Sequence, residues 1–202
     1  MITAYIIHER AYNENKKYIV FFSEDGVNSV SISSKKNVHY FNQYQMLEGK
    51  KILSLQHPIE HHPPLMGKKL YCGLYLNELI YRFCKPSDPH PGLYSQYRIS
   101  ISLLRESSNI GLVLRHFELK LLQACGYEID IAHIDAPFVA FCKQRGFIGQ
   151  YEATLQNIHQ KHLKTMIQEL QPSEEVKYFF RHILHSLLSA SIQSRLLYDK
   201  IT

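Results

Sequence analysis

A chain of 202 residues with 45% hydrophobic and 20% charged residues can bury a substantial core, a balance that excludes extensive disorder. Its longest apolar runs, Tyr18 to Phe22 and Ile183 to Leu188, are too short to span a bilayer, and strand-like sequence begins at the N-terminus, so a cytoplasmic protein without a membrane partner is expected. The net charge of +5 sits in the middle third: residues 63 to 126 hold eight Lys/Arg against four Asp/Glu, whereas residues 1 to 62 hold seven against six. Such a bias suits phosphates or an acidic partner, although a solvated helix face is the commoner origin of a modest excess.

The first sixty residues read as strands. "ITAYIIHE" and "KKYIVFFSE" are rich in β-branched and aromatic residues, the turn "EDG" leads into "VNSVSIS", and "VHYFNQYQM" and "KKILSLQH" follow, divided by "LEGK". Five short strands with tight turns are the minimum for a small closed barrel of the OB type. The three prolines of "HPIEHHPP" then mark a domain boundary.

Beyond that boundary the hydrophobic period changes to that of helices. In "LYCGLYLNELIYRF", Leu70, Leu74, Ile80 and Phe83 predict the core face, Leu76 and Leu79 widen it, Gly73 invites close approach, Glu78 pairs with Arg82, and Asn77 suggests a helix-to-linker hydrogen bond. "LYSQYRISISLLRES" and "IGLVLRHFELKLLQACG" predict two more helices, the second ended by Gly126 as a left-handed cap. Residues 127 to 152 lack helical period and predict an irregular or short β excursion. "ATLQNIHQKHLKTMIQEL" and "SEEVKYFFRHILHSLLSA" predict the last helices, the latter capped by Ser173. The expected fold class is thus α+β: an N-terminal OB-fold β-barrel over residues 1–62 and an α-helical C-terminal domain over 63–202 with an insertion near 127–152.

Four cysteines without a CxxC predict neither a disulfide framework nor a zinc site, and reduced, mostly buried thiols are expected. The histidines His57, His61 and His62, and the pairs His159/His162 and His182/His185, lack convincing further ligands, so no metal or other cofactor is expected. No GxxxxGK[ST], GxSxG or HExxH is present; Asp88 and His90 in "SDPHPG" read as cap and turn residues, and a non-enzyme is expected.

"LYCGLYLNELIYRF", "DPHPGLYSQY" and "LRHFELKLLQACGYEIDI", with "AYIIHERAYNENKKYIVFFSEDG" near the N-terminus and "SRLLYDKI" near the other end, together resemble the successive signatures of the RecO family of bacterial recombination mediators. The resemblance implies an OB-fold, a helical domain and no catalysis. It further implies binding of single- and double-stranded DNA, strand annealing, docking of the acidic C-terminal tail of single-stranded DNA-binding protein, cooperation with RecR, and loading of RecA in the nucleoid. Some relatives bind zinc after the "GY" turn, where this chain offers only Cys142, with Cys125 just before and His133 between.

Two candidate sites follow. Arg115 and Leu119 match the family positions that receive the protein tail; a guanidinium would grip the terminal carboxylate and Leu119, with Leu112 and Leu122, would hold the phenylalanine ring. Arg105, Arg98 and Lys120 would form a basic rim, and the competing reading is an Arg115–Glu118 pair with the leucines in the core. For DNA, the family's basic loop after the third strand is reduced here to "SISSKKN", leaving Lys35 and Lys36 as the matching remnant. Lys16, Lys17, Lys50 and Lys51 are further phosphate contacts and Tyr40, Phe41 and Tyr44 candidate stacking rings, against a reading in which the aromatics fill the barrel and the lysines solvate its rim. The alternative function is therefore a diverged adaptor that docks protein and binds DNA weakly or not at all.

Overall fold

The structure is a computed structural model that describes residues 2–48, 53–59, 62–128, 136–168, 171–188 and 191–194. Its α+β architecture opens with strands β1 (Ile2–Asn13), β2 (Lys16–Ser23), β3 (Gly26–Ser33), β4 (Gln43–Glu48) and β5 (Leu53–Pro58). They form one antiparallel sheet in the order β3-β2-β1-β4-β5, an OB-like arrangement. The expected closed barrel is corrected in one respect: among the described residues no ladder joins β3 to β5, so the sheet is open. The fourth strand also starts later than "VHYFNQYQM" predicts, because Phe41 adopts φ 68° and breaks the extended run before Gln43.

Alternation along the strands sorts the side chains. Ala4, Ile6, Ile19, Phe21, Val30, Ile32, Tyr44, Met46 and Leu55 form the inner core of the sheet. Tyr5 and Phe22 point to the other face, where their rings meet Tyr94 and Tyr97. Helices α1 (Lys68–Phe83) and α2 (Pro91–Glu106) cover this part of the sheet. On α1 the fully buried stripe runs through Leu76, Leu79 and Ile80, with Cys72, Tyr75 and Asn77, while Leu70, Leu74 and Phe83 are only half buried. The stripe is rotated from the predicted one and admits a polar side chain, to which Tyr97 bonds: its hydroxyl donates to Asn77 Oδ1 at 2.6 Å. Asn77 thus joins α1 to α2, not to the linker.

Gly73 does admit a close neighbour. A Cβ there would lie 2.7 Å from the Phe41 ring and 2.8 Å from Leu65. The carbonyl of Phe41 accepts from Arg105 Nη2 at 2.8 Å, so ring and backbone of this left-handed residue are both held.

Packing divides the chain into Met1–Glu106 with Gln193–Thr202, and Ser107–Ile192. The first unit therefore includes α1 and α2, beyond the proline-rich stretch at which the sequence changes from strand to helix period. Its returning segment is anchored at Glu78. That carboxylate pairs with Arg82 at 2.8 Å and accepts from the backbone N–H groups of Gln193 and Ser194 and the Ser194 hydroxyl, each at 2.8 Å. Burial pushes the carboxyl pKa up, but the Ser194 and Gln193 amides, the Ser194 hydroxyl and Arg82 outweigh it and hold Glu78 below its ordinary value. A depressed pKa in the folded state stabilises above the unfolded pKa and is lost as pH falls through the folded one. A Glu78→Gln variant should accordingly melt below the wild type near about pH 7, with the gap closing in acid; thermal melts across that range read this directly.

The second unit holds α3 (Ile110–Ala124), β6 (Phe138–Cys142), β7 (Gly146–Ile148), β8 (Gln156–His159), α4 (Gln160–Gln168) and α5 (Glu174–Leu187). Asn109 caps α3 through the Leu112 amide, Ser173 caps α5 through the Val176 amide, and Gly126 at φ 85° lets Tyr127 N–H reach the Leu122 carbonyl. The excursion supplies β6 and β7 of a three-stranded sheet, β7-β6-β8. Its strand β8 corrects the predicted helix from residue 153. The Asn157 amide donates to the carbonyls of Glu152 and Leu155, both at 2.7 Å, and accepts from Glu152 N–H at 3.0 Å, a local turn that competes with helix. Ile158, paired with Val139, is then buried as a strand residue.

Candidate functional site

The strand register gathers the basic residues at one end of the first sheet. Lys16 pairs with Ser33 and Lys17 with Ile32, so Lys35 and Lys36, just past β3, adjoin the β1–β2 turn; Ser34 N–H donates to the Asn15 carbonyl at 3.0 Å. The four lysines differ in what they touch. Lys17 is half buried and pairs with Glu9 at 3.0 Å; Lys16, Lys35 and Lys36 are exposed, and the Lys36 ammonium donates to the Leu55 carbonyl. Lys50 and Lys51 lie outside the described residues.

The three candidate rings differ in accessibility. Phe41 and Tyr44 are each 2% exposed, Phe41 against α1 and Tyr44 within the inner core, where its hydroxyl accepts from His39 N–H at 2.8 Å. Tyr40 is half buried beside Phe41, their ring centroids 6.0 Å apart. A base can stack only on an accessible ring face, and of the three Tyr40 alone retains partial exposure.

On α3, Arg115 is 5% exposed, Leu119 9% and Leu122 fully buried, and Leu112 is half buried. Nη2 of Arg115 donates to Glu118 Oε1 at 2.6 Å and Nη1 to the Lys177 carbonyl of α5 at 3.3 Å. The guanidinium thus joins α3 to α5. Lys120 is exposed on α3; Arg98 is exposed on α2, and Arg105 is committed to the carbonyls of Phe41 and Ile101.

The remaining candidates are dispersed. Cys72 and Cys84 are buried, Cys125 and Cys142 half buried. Among the described residues no three His, Cys, Asp or Glu side chains converge as a metal site would require, and His61 and His133 lie outside those residues. His90 Nε2 is 3.6 Å from Asp88 Oδ2, in a loop whose His90 N–H donates to the Glu24 carbonyl. No helix among the described residues is long and apolar enough to cross a membrane.

A group that sequence reading passes over occupies the outer face of the β1–β2 hairpin. Tyr12 is 59% exposed and packs edge-on against Tyr18, centroids 4.8 Å apart, while the Arg10 guanidinium lies 5.4 Å from the Tyr18 ring. The missed signal was the hairpin register, which no residue pattern declares.

Comparison with known proteins bears on most of the chain. The family model for the C-terminal part of recombination protein O matches residues 66–134, which include α1, α2 and α3. A Vibrio vulnificus protein named DNA repair protein RecO is 32% identical over 166 residues, 72% of this chain and 68% of its relative. The chain belongs to the RecO family. RecO proteins of Pseudoalteromonas atlantica and Aliivibrio fischeri are 33% and 32% identical over 65% and 64% of this chain. In both matches the chain spans 60% of the length of these RecO relatives.

Proposed function

We propose that this RecO-family chain is a DNA repair and recombination mediator that binds single- and double-stranded DNA, anneals strands, docks the tail of single-stranded DNA-binding protein and helps RecR load RecA, without consuming a nucleotide. The observation that carries this reading is an OB-ordered sheet in the same chain as the helical segment matched to recombination protein O. The exposed Lys16 and Lys35, with Lys17 and Lys36 beside them, would meet phosphates at the sheet's end, and Lys50 and Lys51 are proposed to extend the contact. The tail would reach α3 at Leu112 and Leu119, where Arg115 has to exchange Glu118 for the incoming carboxylate.

A second reading, a protein-docking adaptor with weak DNA affinity, draws support from the prior engagement of Lys17 and Lys36 and the burial of Phe41 and Tyr44. Titrating labelled single-stranded DNA and an acidic peptide ending in Asp-Phe at several salt concentrations separates the two. The mediator should bind both, with DNA affinity falling steeply as salt rises. Peptide binding with no DNA binding selects the adaptor, and loss of both removes the docking function as well.

A further inference from the structure

The outer face of the β1–β2 hairpin interleaves aromatic and cationic side chains just beyond the part of the sheet covered by α1 and α2. Register explains why they share a face. Arg10 lies directly opposite Tyr18 and His8 opposite Val20, and Phe22, two residues further along β2, meets Tyr94 and Tyr97 on the covered side. Lys16, two residues before Tyr18, continues the row. Glu9 alternates to the opposite face with Lys17, so the carboxylate nearest in sequence is directed away from the row.

Two slips of the β1–β2 ladder, between Ile6 and His8 and between Ala11 and Asn13, bracket this surface. The second leaves Tyr12 as the extra residue, and its ring folds against Tyr18 instead of joining the inner core. At the other end the His8 ring meets Tyr81 of α1 at 4.8 Å, with Tyr81 44% exposed. Tyr81, His8, Arg10, Tyr18, Tyr12 and Lys16 thus form one strip along the hairpin. Large aromatic rings left in water next to guanidinium and ammonium groups lose apolar burial that the core could have given them. A ligand with flat π faces and a regularly charged backbone would restore it, and a strand of unpaired nucleotides has both.

We infer that this strip is a stacking platform for single-stranded nucleic acid, with Tyr12 and Tyr18 receiving bases and Arg10 and Lys16 the adjoining phosphates. It deepens the DNA-binding part of the proposed function and rests on it. The platform discriminates by strandedness, because bases paired within a duplex keep their faces stacked on one another.

Fluorescence anisotropy of labelled oligothymidylate and of a duplex of equal length, with wild type, Tyr12→Ala, Tyr12→Phe and Arg10→Gln, tests this. Tyr12 is an exposed bulge residue, so its variants should fold as the wild type does, and circular dichroism checks that. Tyr12→Ala should weaken single-strand binding by roughly five-fold to a hundred-fold, the worth of one stacked base, and leave duplex affinity and the salt slope unchanged. Tyr12→Phe should stay within about two-fold of wild type, since the ring remains. Arg10→Gln should lower both the affinity and the salt slope. Wild-type binding to single strands with an unaltered Tyr12→Ala variant overturns the platform and leaves the mediator reading standing. Equal losses for single strand and duplex also overturn it. A wild type that binds the acidic peptide but no single strand overturns the platform and the DNA-binding reading together.

Discussion

Arg115→Ala should destabilise Ser107–Ile192 by about 3 to 5 kcal/mol, the cost of breaking a buried ion pair by removing one partner. The pair qualifies as buried on both sides, with side-chain exposures of 6% for Arg115 and 0% for Glu118. Truncation takes the guanidinium from a carboxylate sealed inside α3 and removes the donor to the Lys177 carbonyl of α5. Urea denaturation followed by far-UV circular dichroism measures the loss. Against a total stability of about 5 to 15 kcal/mol for a typical domain, it endangers folding, so loss of tail affinity in this variant alone would say nothing about docking.

The Arg115→Met, Glu118→Gln double variant separates the two roles. Replacing both members removes the pair as a unit, and much of the stability should return. A folded double variant that still captures the Asp-Phe peptide at wild-type affinity makes Arg115 a strut between two helices. One that folds and fails to bind supports carboxylate capture by the guanidinium. Glu118→Gln alone should then tighten binding, because the carboxylate that competes for Arg115 is gone while a hydrogen-bonding amide remains.

How far such sites can be read from sequence depends on whether the deciding interaction is local. The Ser173 cap, the left-handed Gly126 and the Glu78–Arg82 pair each involve residues within one turn, and each was legible from spacing. The sheet was legible as five strands from composition, and its α+β class from the change of period after the prolines. Phe41 was not, since its burial depends on Gly73 and Arg105, far along the chain, meeting it in space. Asn77 likewise has Tyr97 as its partner, twenty positions on. Strand β8 hid within an acceptable helical pattern because the side chain of one residue, Asn157, satisfies backbone groups that a helix would otherwise use. Tyr12 is the instructive case: alternation alone places it on either face, and only the bulge decides.

The same dependence on distant partners makes Gly26→Ala the other substitution expected to do great harm. Gly26 pairs with Ser23 across the two-residue turn Glu24–Asp25 and has φ 95°, where an L side chain is strained. A Cβ there would lie 2.2 Å from the Asp88 carbonyl oxygen and 2.8 Å from its carbon. The obstacle is backbone, which no rotamer change removes. Relief would require displacing the loop before α2, whose Ser87 N–H donates to the Val27 carbonyl at 2.9 Å and whose His90 N–H donates to that of Glu24 at 3.2 Å. Strain, overlap and lost hydrogen bonds together should cost about 3 kcal/mol or more, while Asp25→Ala on the exposed turn should stay within about 0.5 kcal/mol. Hydrogen exchange should locate the damage in the β2–β3 amides and at the start of α2. If those amides keep their protection and urea stability is unchanged, the close packing of turn and loop does not hold the hairpin. If protection collapses there while the amides of α3 and α5 are unaffected, the turn stabilises the first unit alone.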